Sequence, residues 1–413
     1  MELSEEQKLI INESSKYLQI IAAAGSGKTF TLIELVYNLI KKSKYPEEKI
    51  LLITFSKKAA NEIHERLINK IGDNKVKVYT FHAYCLRIIS IYNTKYSKDL
   101  KIISPEEKSA FYKKELINEK LLVGGIPYDL LLSTKNPYLQ RLFPEIYNKI
   151  ELNYLKFKGI NNLLDFDDLV NIYMKGLEQN EDWALKAKME ISYVIVDEFQ
   201  DTDFIQLKWL QLINPEKLTV VGDDWQAIYG FRGATTEPFL NFEKFFNPVK
   251  KLYLTMNYRS DINIIKTSII PIKYNKFNIK KDVVPFSTNN GKVGIIKIKS
   301  DQDWLKFKNI LLENDKNKIL VRANYRIKKL VSLGFPESQI STIHKAKGLE
   351  FPTVILDLSE GWSGGEKFED IDFEEERRIL YVSISRAKNK ILIIGKENYG
   401  EKNIESIFYD YFK

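Results

Sequence analysis

The chain has 413 residues, 44% of them hydrophobic and 29% charged, too many for one core and the wrong balance for a disordered chain or a membrane bundle. Its 63 basic residues outnumber the 55 acidic ones, which favours a polyanionic partner without naming one, since AT-rich coding sequence also yields Lys- and Asn-rich chains. One cysteine, Cys85, and three histidines exclude an internal disulfide and a structural zinc cluster, and fit a reducing compartment.

The opening, MELSEEQKLI, lacks the apolar stretch of a signal peptide, and no later run approaches the ~20 apolar residues of a membrane span. A cytoplasmic protein with no membrane partner is expected. The first candidate strand, YLQII (17–21), runs into AAAGSGKT (22–29) and then the helical pattern TFTLIELVYNLI. Strand, glycine loop and helix in that order make a P-loop. Gly25 and Gly27 permit the tight turn that aims the loop's N–H groups, Ala24 and Ser26 among its members, at phosphate. Lys28 would reach the β- and γ-phosphates of ATP, and the Thr29 hydroxyl would bind Mg²⁺. Ala22 stands where the usual pattern has its first glycine.

Further strands are read at KILLITF (49–55) and VKVYTF (76–81). From about 95 to 160 the pattern changes to helical spacing punctuated by Pro105, Pro127, Pro137 and Pro144, a small helical insertion. The strand YVIVDE (193–198) ends on Asp197 and Glu198, the arrangement of a Walker B site. Asp197 would hold Mg²⁺ through water, and Glu198 would orient or deprotonate the attacking water. A DE pair ending a strand is common by itself; downstream of a P-loop it points to hydrolysis. LTVVGD (218–223) completes the first set of strands, and KLYLT (251–255), VGIIKI (293–298), KILVRA (318–323), TVILDL (353–358) and KILIIG (390–395) make a second. The fold expected is α/β, two parallel-sheet lobes in tandem: 1–94 with 161–248, and 249–413, with the insertion at 95–160. The second lobe has no P-loop, so its use would be to close over a nucleotide held by the first.

Nine further strings stand in one order along the chain: LSEEQ (3–7), ILLITFSKKAANEIHERL (50–67), VYTFHAYCLRI (78–88), LDFDDLV (164–170), VDEFQDTDFIQ (196–206), VGDDWQAIYGFRGA (221–234), LTMNYRS (254–260), TIHKAKGLEFPTVIL (342–356) and EEERRILYVSISRAK (374–388). Together they resemble the motifs of the UvrD/Rep/PcrA family of superfamily 1 DNA helicases over nearly the whole length. The resemblance implies RecA-like lobes, a 1B-like insertion, and an ATP-dependent enzyme that moves 3′ to 5′ on single-stranded DNA and acts at duplex junctions as a monomer. It implies that Gln7 reads adenine, Tyr258 stacks on it, and Glu350 contacts the nucleotide from the second lobe. Gln226 is expected to sense the γ-phosphate, with Arg259 and Arg386 reaching it across the lobe interface. Guanidinium groups suit that place because negative charge develops on the phosphoryl oxygens, and such an arginine contributes ~10³–10⁵ in rate in related systems.

Aromatic side chains at strand ends and in loops suit stacking on splayed bases, at ~1–3 kcal/mol each. Phe55, Phe81, His82, Tyr229 and Phe231 are the candidates, and Arg232 and His344 match further DNA-contacting positions of the family. Only residues 324–341 separate KILVRA from TIHKAKGLEF, so the 2B-type domain that larger relatives insert there is expected to be reduced or absent. That spacing leaves two readings: a minimal motor, or the motor subunit of a repair, phage-replication or defence complex that unwinds poorly without a partner. A nucleotide-gated clamp is the third, and loss of Glu198, Gln226 or an arginine would be its mark. None is lost.

Overall fold

The computed structural model describes residues 2–42, 44–93, 101–121, 139–140, 143–230, 234–359 and 373–396. Three strands, β1 (Tyr17–Ala22), β2 (Ile50–Thr54) and β3 (Lys77–Thr80), precede a short parallel pair, β4 (Lys101–Ile102) and β5 (Leu163–Leu164). Then follow β6 (Tyr193–Val196), β7 (Lys217–Gly222) and β8 (Val249–Leu254). β1, β2, β3, β6, β7 and β8 form one parallel sheet in the order β3-β2-β6-β7-β1-β8.

Parallel sheets need helical crossovers, which cover both faces, so the inner strands read as unbroken apolar runs rather than alternating ones. Every residue of β1, β2, β6 and β7 is accordingly buried. On one face Leu18 and Ile20 pack with Leu32, Val36, Ile63 and Leu67 from the helices Lys28–Lys41 and Lys57–Ile71. On the other, Ile21 and Leu51 pack with Tyr84, Tyr173 and Trp209 from Phe81–Tyr92, Phe166–Glu178 and Phe204–Ile213.

β8 corrects the expected division of the chain. The run KLYLT was assigned to the second lobe, yet β8 pairs with β1 along its length, from Tyr17↔Val249 to Ala22↔Leu254. The first lobe therefore passes the Asn247–Pro248 boundary and ends at Leu254. A buried parallel strand carries no mark of which sheet it joins; the pairing decides.

The insertion has its own small core, with Ile103, Tyr112, Leu116, Ile150 and Tyr154 meeting between the helices Pro105–Asn118 and Pro144–Asn161. Charge fixes it to the first lobe. Asp165 caps the helix Phe166–Glu178 and pairs with Lys108 at 3.1 Å and Lys158 at 3.2 Å, and Lys158 also reaches Asp168 at 2.6 Å.

A parallel ribbon, β9 (Met256–Asn257) with β10 (Val284–Pro285), lies between the lobes, and the helix Ile262–Ile269 falls between its strands. The second sheet holds β11 (Lys292–Ile298), β12 (Lys318–Val321), β13 (Ile340–Thr342), β14 (Phe351–Asp357) and β15 (Ala387–Lys396). Its order is β11-β15-β14-β12-β13, again all parallel. β13 takes the fifth place expected for KLYLT. Between β12 and β13 stand only the helix Asn324–Ser332 and a short turn, Glu337–Gln339. The lobes share one apolar cluster, in which Ala24, Trp225 and Ile228 of the first meet Ile264, Leu380 and Tyr381 of the second. Among the described residues no helix is long and apolar enough to cross a membrane.

Candidate active site and nucleic-acid interface

The loop after β1 turns through Gly25 at φ 71° and Gly27 at φ 79°, left-handed conformations that a side chain makes costly. Gly25 is required twice over. A Cβ there would stand 2.7 Å from Arg259 Cβ and 3.0 Å from Asn257 Oδ1, so glycine lets the second lobe's approach segment rest on the loop. That contact is hydrogen-bonded as well: Tyr258 N–H donates to Gly25 O at 2.9 Å, and the Asn257 amide to Ala24 O at 2.8 Å. Gln7 is buried beside the loop. Its Oε1 accepts from Ser4 N–H at the start of the first helix, and its Nε2 lies 3.4 Å from where a Cβ on Gly27 would stand. Ser26 is buried too, and its hydroxyl has no hydrogen-bond partner among the described residues.

Lys28 and Thr29 open the helix behind the loop. The Lys28 ammonium meets Glu198 Oε1 at 3.0 Å. Burial alone would lower its pKa, but Glu198, Asp197 and Asp223 raise it, so it stays charged. Glu198 sits at φ 53°, ψ 41°, a left-handed conformation uncommon outside glycine and asparagine and of the kind that collects at functional sites. Its N–H donates to Asp197 Oδ1 at 2.9 Å, which folds the two carboxyl groups around one turn. Burial pushes both acids up, but their surroundings separate them. Lys28 and Lys347 overcome burial at Glu198 and hold it ionised; at Asp197 burial and the Glu198 charge prevail and its pKa is raised.

These groups fit Mg²⁺ with a nucleotide. Among the described residues no cluster of three or more acidic, His or Cys side chains could hold a metal alone. Mg²⁺ is commonly bound by one or two carboxylates with water and substrate phosphates, which Asp197, the Thr29 hydroxyl and a triphosphate on the loop would supply. The unpartnered Ser26 hydroxyl and the charged Lys28 suit the anion.

The second lobe meets this cleft through three cationic side chains. Arg386 is buried, and its Nη2 donates to Gln226 Oε1 at 3.0 Å. Leu349 O and Val382 O hold the rest of its fork. Burial, with Arg259 alongside, lowers its pKa. Arg259 donates from Nε to Glu350 Oε2 at 2.9 Å and from Nη1 to Ser385 O at 3.2 Å. Lys347, absent from the sequence-based candidates, pairs with Asp201 and donates to Gln226 O at 2.8 Å. Tyr381 was missed as well; its hydroxyl accepts from the Ala24 N–H at 3.2 Å. It lies within the matched string EEERRILYVSISRAK, where a tyrosine between apolar neighbours reads as core. Tyr258 is 37% exposed, and its ring stands 5.0 Å from that of Phe286, which is 66% exposed, so two open aromatic faces lie next to Gly25.

The nucleic-acid candidates divide. Phe55 and Tyr229 stack face to face, with centroids 4.7 Å apart and planes 14° from parallel. His344 of the second lobe is 6.2 Å from Tyr229, and the Lys347 ammonium lies 4.7 Å from the same ring. His82 is half-buried with its ring edge-on to Phe166 at 5.7 Å. Phe55, His82, Phe166 and Lys108 line a cleft of about 640 Å³ that runs to Glu198 and Asp201. Phe81 begins a helix, is 5% exposed and packs edge-on against Trp209 at 4.9 Å, so most of its ring is in the core while its remaining surface lines the same cleft. Phe231 and Arg232 lie outside the described residues.

Two parallel-sheet lobes, one bearing a P-loop and the other presenting arginines beside it, define a P-loop protein of the tandem RecA-like class. Residues 3–247 match the UvrD/REP helicase N-terminal domain and residues 331–398 the UvrD-like helicase C-terminal domain, and the chain belongs to the UvrD/Rep helicase family. A probable DNA helicase II homolog of Mycoplasma capricolum is 32% identical over 360 residues, covering 80% of this chain and 48% of that protein. The ATP-dependent DNA helicase Rep of Buchnera aphidicola is 30% identical, covering 79% and 53%. The ATP-dependent DNA helicase PcrA of Staphylococcus aureus is 29% identical, covering 74% and 44%. The chain thus spans about half the length of these three relatives.

Proposed function

We propose that this chain is a DNA-dependent ATPase that moves 3′ to 5′ along single-stranded DNA and separates duplex at junctions, acting in the cytoplasm. The observation that carries the reading is the closed cleft itself: Lys28 and Glu198 on one wall, and Arg386 bonded to Gln226 from the other. The names of the relatives, DNA helicase II, Rep and PcrA, support it.

Asp197 and Thr29 would hold Mg²⁺, which when bound would supply neutralisation of phosphate charge. Lys28 leaves Glu198 to grip the phosphates. Glu198, freed and ionised, takes the proton of the attacking water, which Gln226 orients. Arg386 and Arg259 balance the charge that develops on the terminal phosphoryl group. Gln7 and Tyr258 hold the adenine, and Glu350 steadies Arg259. Phe55, Tyr229 and His344, drawn from both lobes, grip bases, so a change in lobe closure shifts the strand.

The short connection between β12 and β13 favours a chain that translocates better than it unwinds and draws on a partner at forks. Strand displacement on 3′-tailed and 5′-tailed duplexes, with translocation on single strands alongside, tests both readings. ATP-dependent activity from the 3′ tail alone is expected. Activity from the 5′ tail would overturn the polarity, and robust unwinding by the lone chain would overturn the need for a partner.

A further inference from the structure

Lys281 stands in the segment FNIKKD (277–282), beside a second lysine, Lys280. Lys280 is exposed; Lys281 is buried and its side chain has no open surface. Its ammonium contacts the Asp223 carboxylate, meets Asp224 Oδ1 at 2.7 Å and donates to Ala22 O, the last residue of β1, at 3.3 Å. The Trp225 ring lies 4.4 Å from it. The same strap is bonded to this turn twice more. Ile279 N–H donates to Asp224 Oδ2 at 2.8 Å, and the Trp225 indole N–H donates to Ile279 O at 3.1 Å.

The two oxygens of Asp223 face different partners. Lys281 meets Oδ1, which also accepts from the Trp225 N–H at 3.2 Å, and Oδ2 accepts from the Gln226 amide at 2.6 Å and, more loosely, from the Tyr381 hydroxyl at 3.4 Å; of these donors only Lys281 brings a charge. Gln226 in turn accepts from Arg386 through its Oε1. A side-chain amide can rotate end for end, and Asp223 settles the matter: with NH₂ bound there, oxygen is left for the arginine. A buried ammonium with two carboxylates is a costly adhesive, since apolar residues of the same volume hold a core as well or better. Its placement at the head of this chain of bonds gives it another use.

We propose that Lys281 is a positioning residue for the hydrolytic step: it fixes Asp223, and so sets the Gln226 amide and the Arg386 guanidinium for the terminal phosphate. The idea rests on the ATPase reading above and extends it to a residue outside the matched motifs. It separates the groups that bind nucleotide, which Lys281 does not touch apart from the Ala22 carbonyl, from those that act on the reacting phosphate.

The test is steady-state ATP hydrolysis by the full chain with oligo-dT, beside titration with a fluorescent ADP analogue and thermal melting. Wild type is read first; absence of DNA-stimulated hydrolysis there would sink the ATPase reading and leave this one no reaction to serve. With an active wild type, K281M is expected to lose at least fivefold in kcat while KM for ATP and analogue affinity stay within threefold. In a Gln226→Ala background the same change is expected to lower kcat less than twofold, because the relay passes through that side chain. A folded K281M that loses less than fivefold, that weakens nucleotide binding in step with kcat, or whose loss persists in full without Gln226 would overturn the proposal. Should K281M fail to fold, K281M/D224N removes one of the stranded carboxylates and is read by the same criteria; if that too fails to fold, the lysine is structural and the proposal falls.

Discussion

Glu198→Gln separates the chemistry of the cleft from its grip on nucleotide. Glutamine keeps the size of the side chain and an oxygen for Lys28 but removes the charge and the proton acceptor. A positioned general base contributes ~10²–10⁴ in rate, so kcat with saturating single-stranded DNA should fall by that factor, about 3–5 kcal/mol of barrier. Binding should move the other way. The Lys28–Glu198 pair at 3.0 Å, with side-chain exposures of 11% and 26%, must open before Lys28 can reach a phosphate. A pair this sheltered from water resists opening, so removing its anion should tighten nucleotide by ~fivefold or more. Steady-state hydrolysis with oligo-dT gives the first quantity and titration with a fluorescent ADP analogue the second. A kcat within tenfold of wild type would refute the base assignment, and a tenfold weakening of nucleotide would show that Glu198 organises the pocket instead.

Three other outcomes are expected. Phe81→Ala should lower the unfolding free energy by about 3–5 kcal/mol, as an aromatic lost from a core does, and leave DNA affinity of the folded fraction within about twofold; chemical unfolding and fluorescence anisotropy check this. Phe55→Ala should weaken oligo-dT binding by about 1–3 kcal/mol without changing the salt dependence, because a stacked ring releases no counterions; a shallower salt slope would contradict stacking. At Asp165, burial is outweighed by Lys108, the Asp168 N–H and Lys158, and the carboxyl is held at about 2 against an ordinary 3.8. A lowered value stabilises the fold above pH ~4 and loses that contribution as pH falls towards 2, worth about 2 kcal/mol at most. Asp165→Asn should therefore unfold about 2 kcal/mol more easily in urea at pH 7, with the gap narrowing below pH 4; a gap independent of pH would contradict the charge argument.

The P-loop, Asp197 and Glu198 were legible because strand, glycines and acids sit next to each other in the chain, and local order dictates their geometry. The arginines and Gln226 came from resemblance, and their meeting across the cleft needed the fold. β13 was unreadable since three residues carry no periodicity, and β8 was misplaced since its apolar run suits either sheet. At Phe81 the string does not divide core from cleft, because an aromatic followed by a polar residue after a strand fits an exposed ledge and the first turn of a helix equally well. Lys281 was hidden most completely. Its burial depends on Asp223 and Asp224, more than fifty residues earlier, and nothing beside it in the chain announces them.

The place of β1 in its sheet bears on how the protein is made. β1 leaves the ribosome well before both of its neighbours, β7 and β8, which are synthesised some two hundred residues later. Until then a fully apolar strand with unsatisfied edges waits in the nascent chain, a state open to mispairing and a natural client for a chaperone. A fragment cut at 247, where the N-terminal domain match stops, would leave β1 without one flank permanently, so any piece meant to stand alone must run through Leu254.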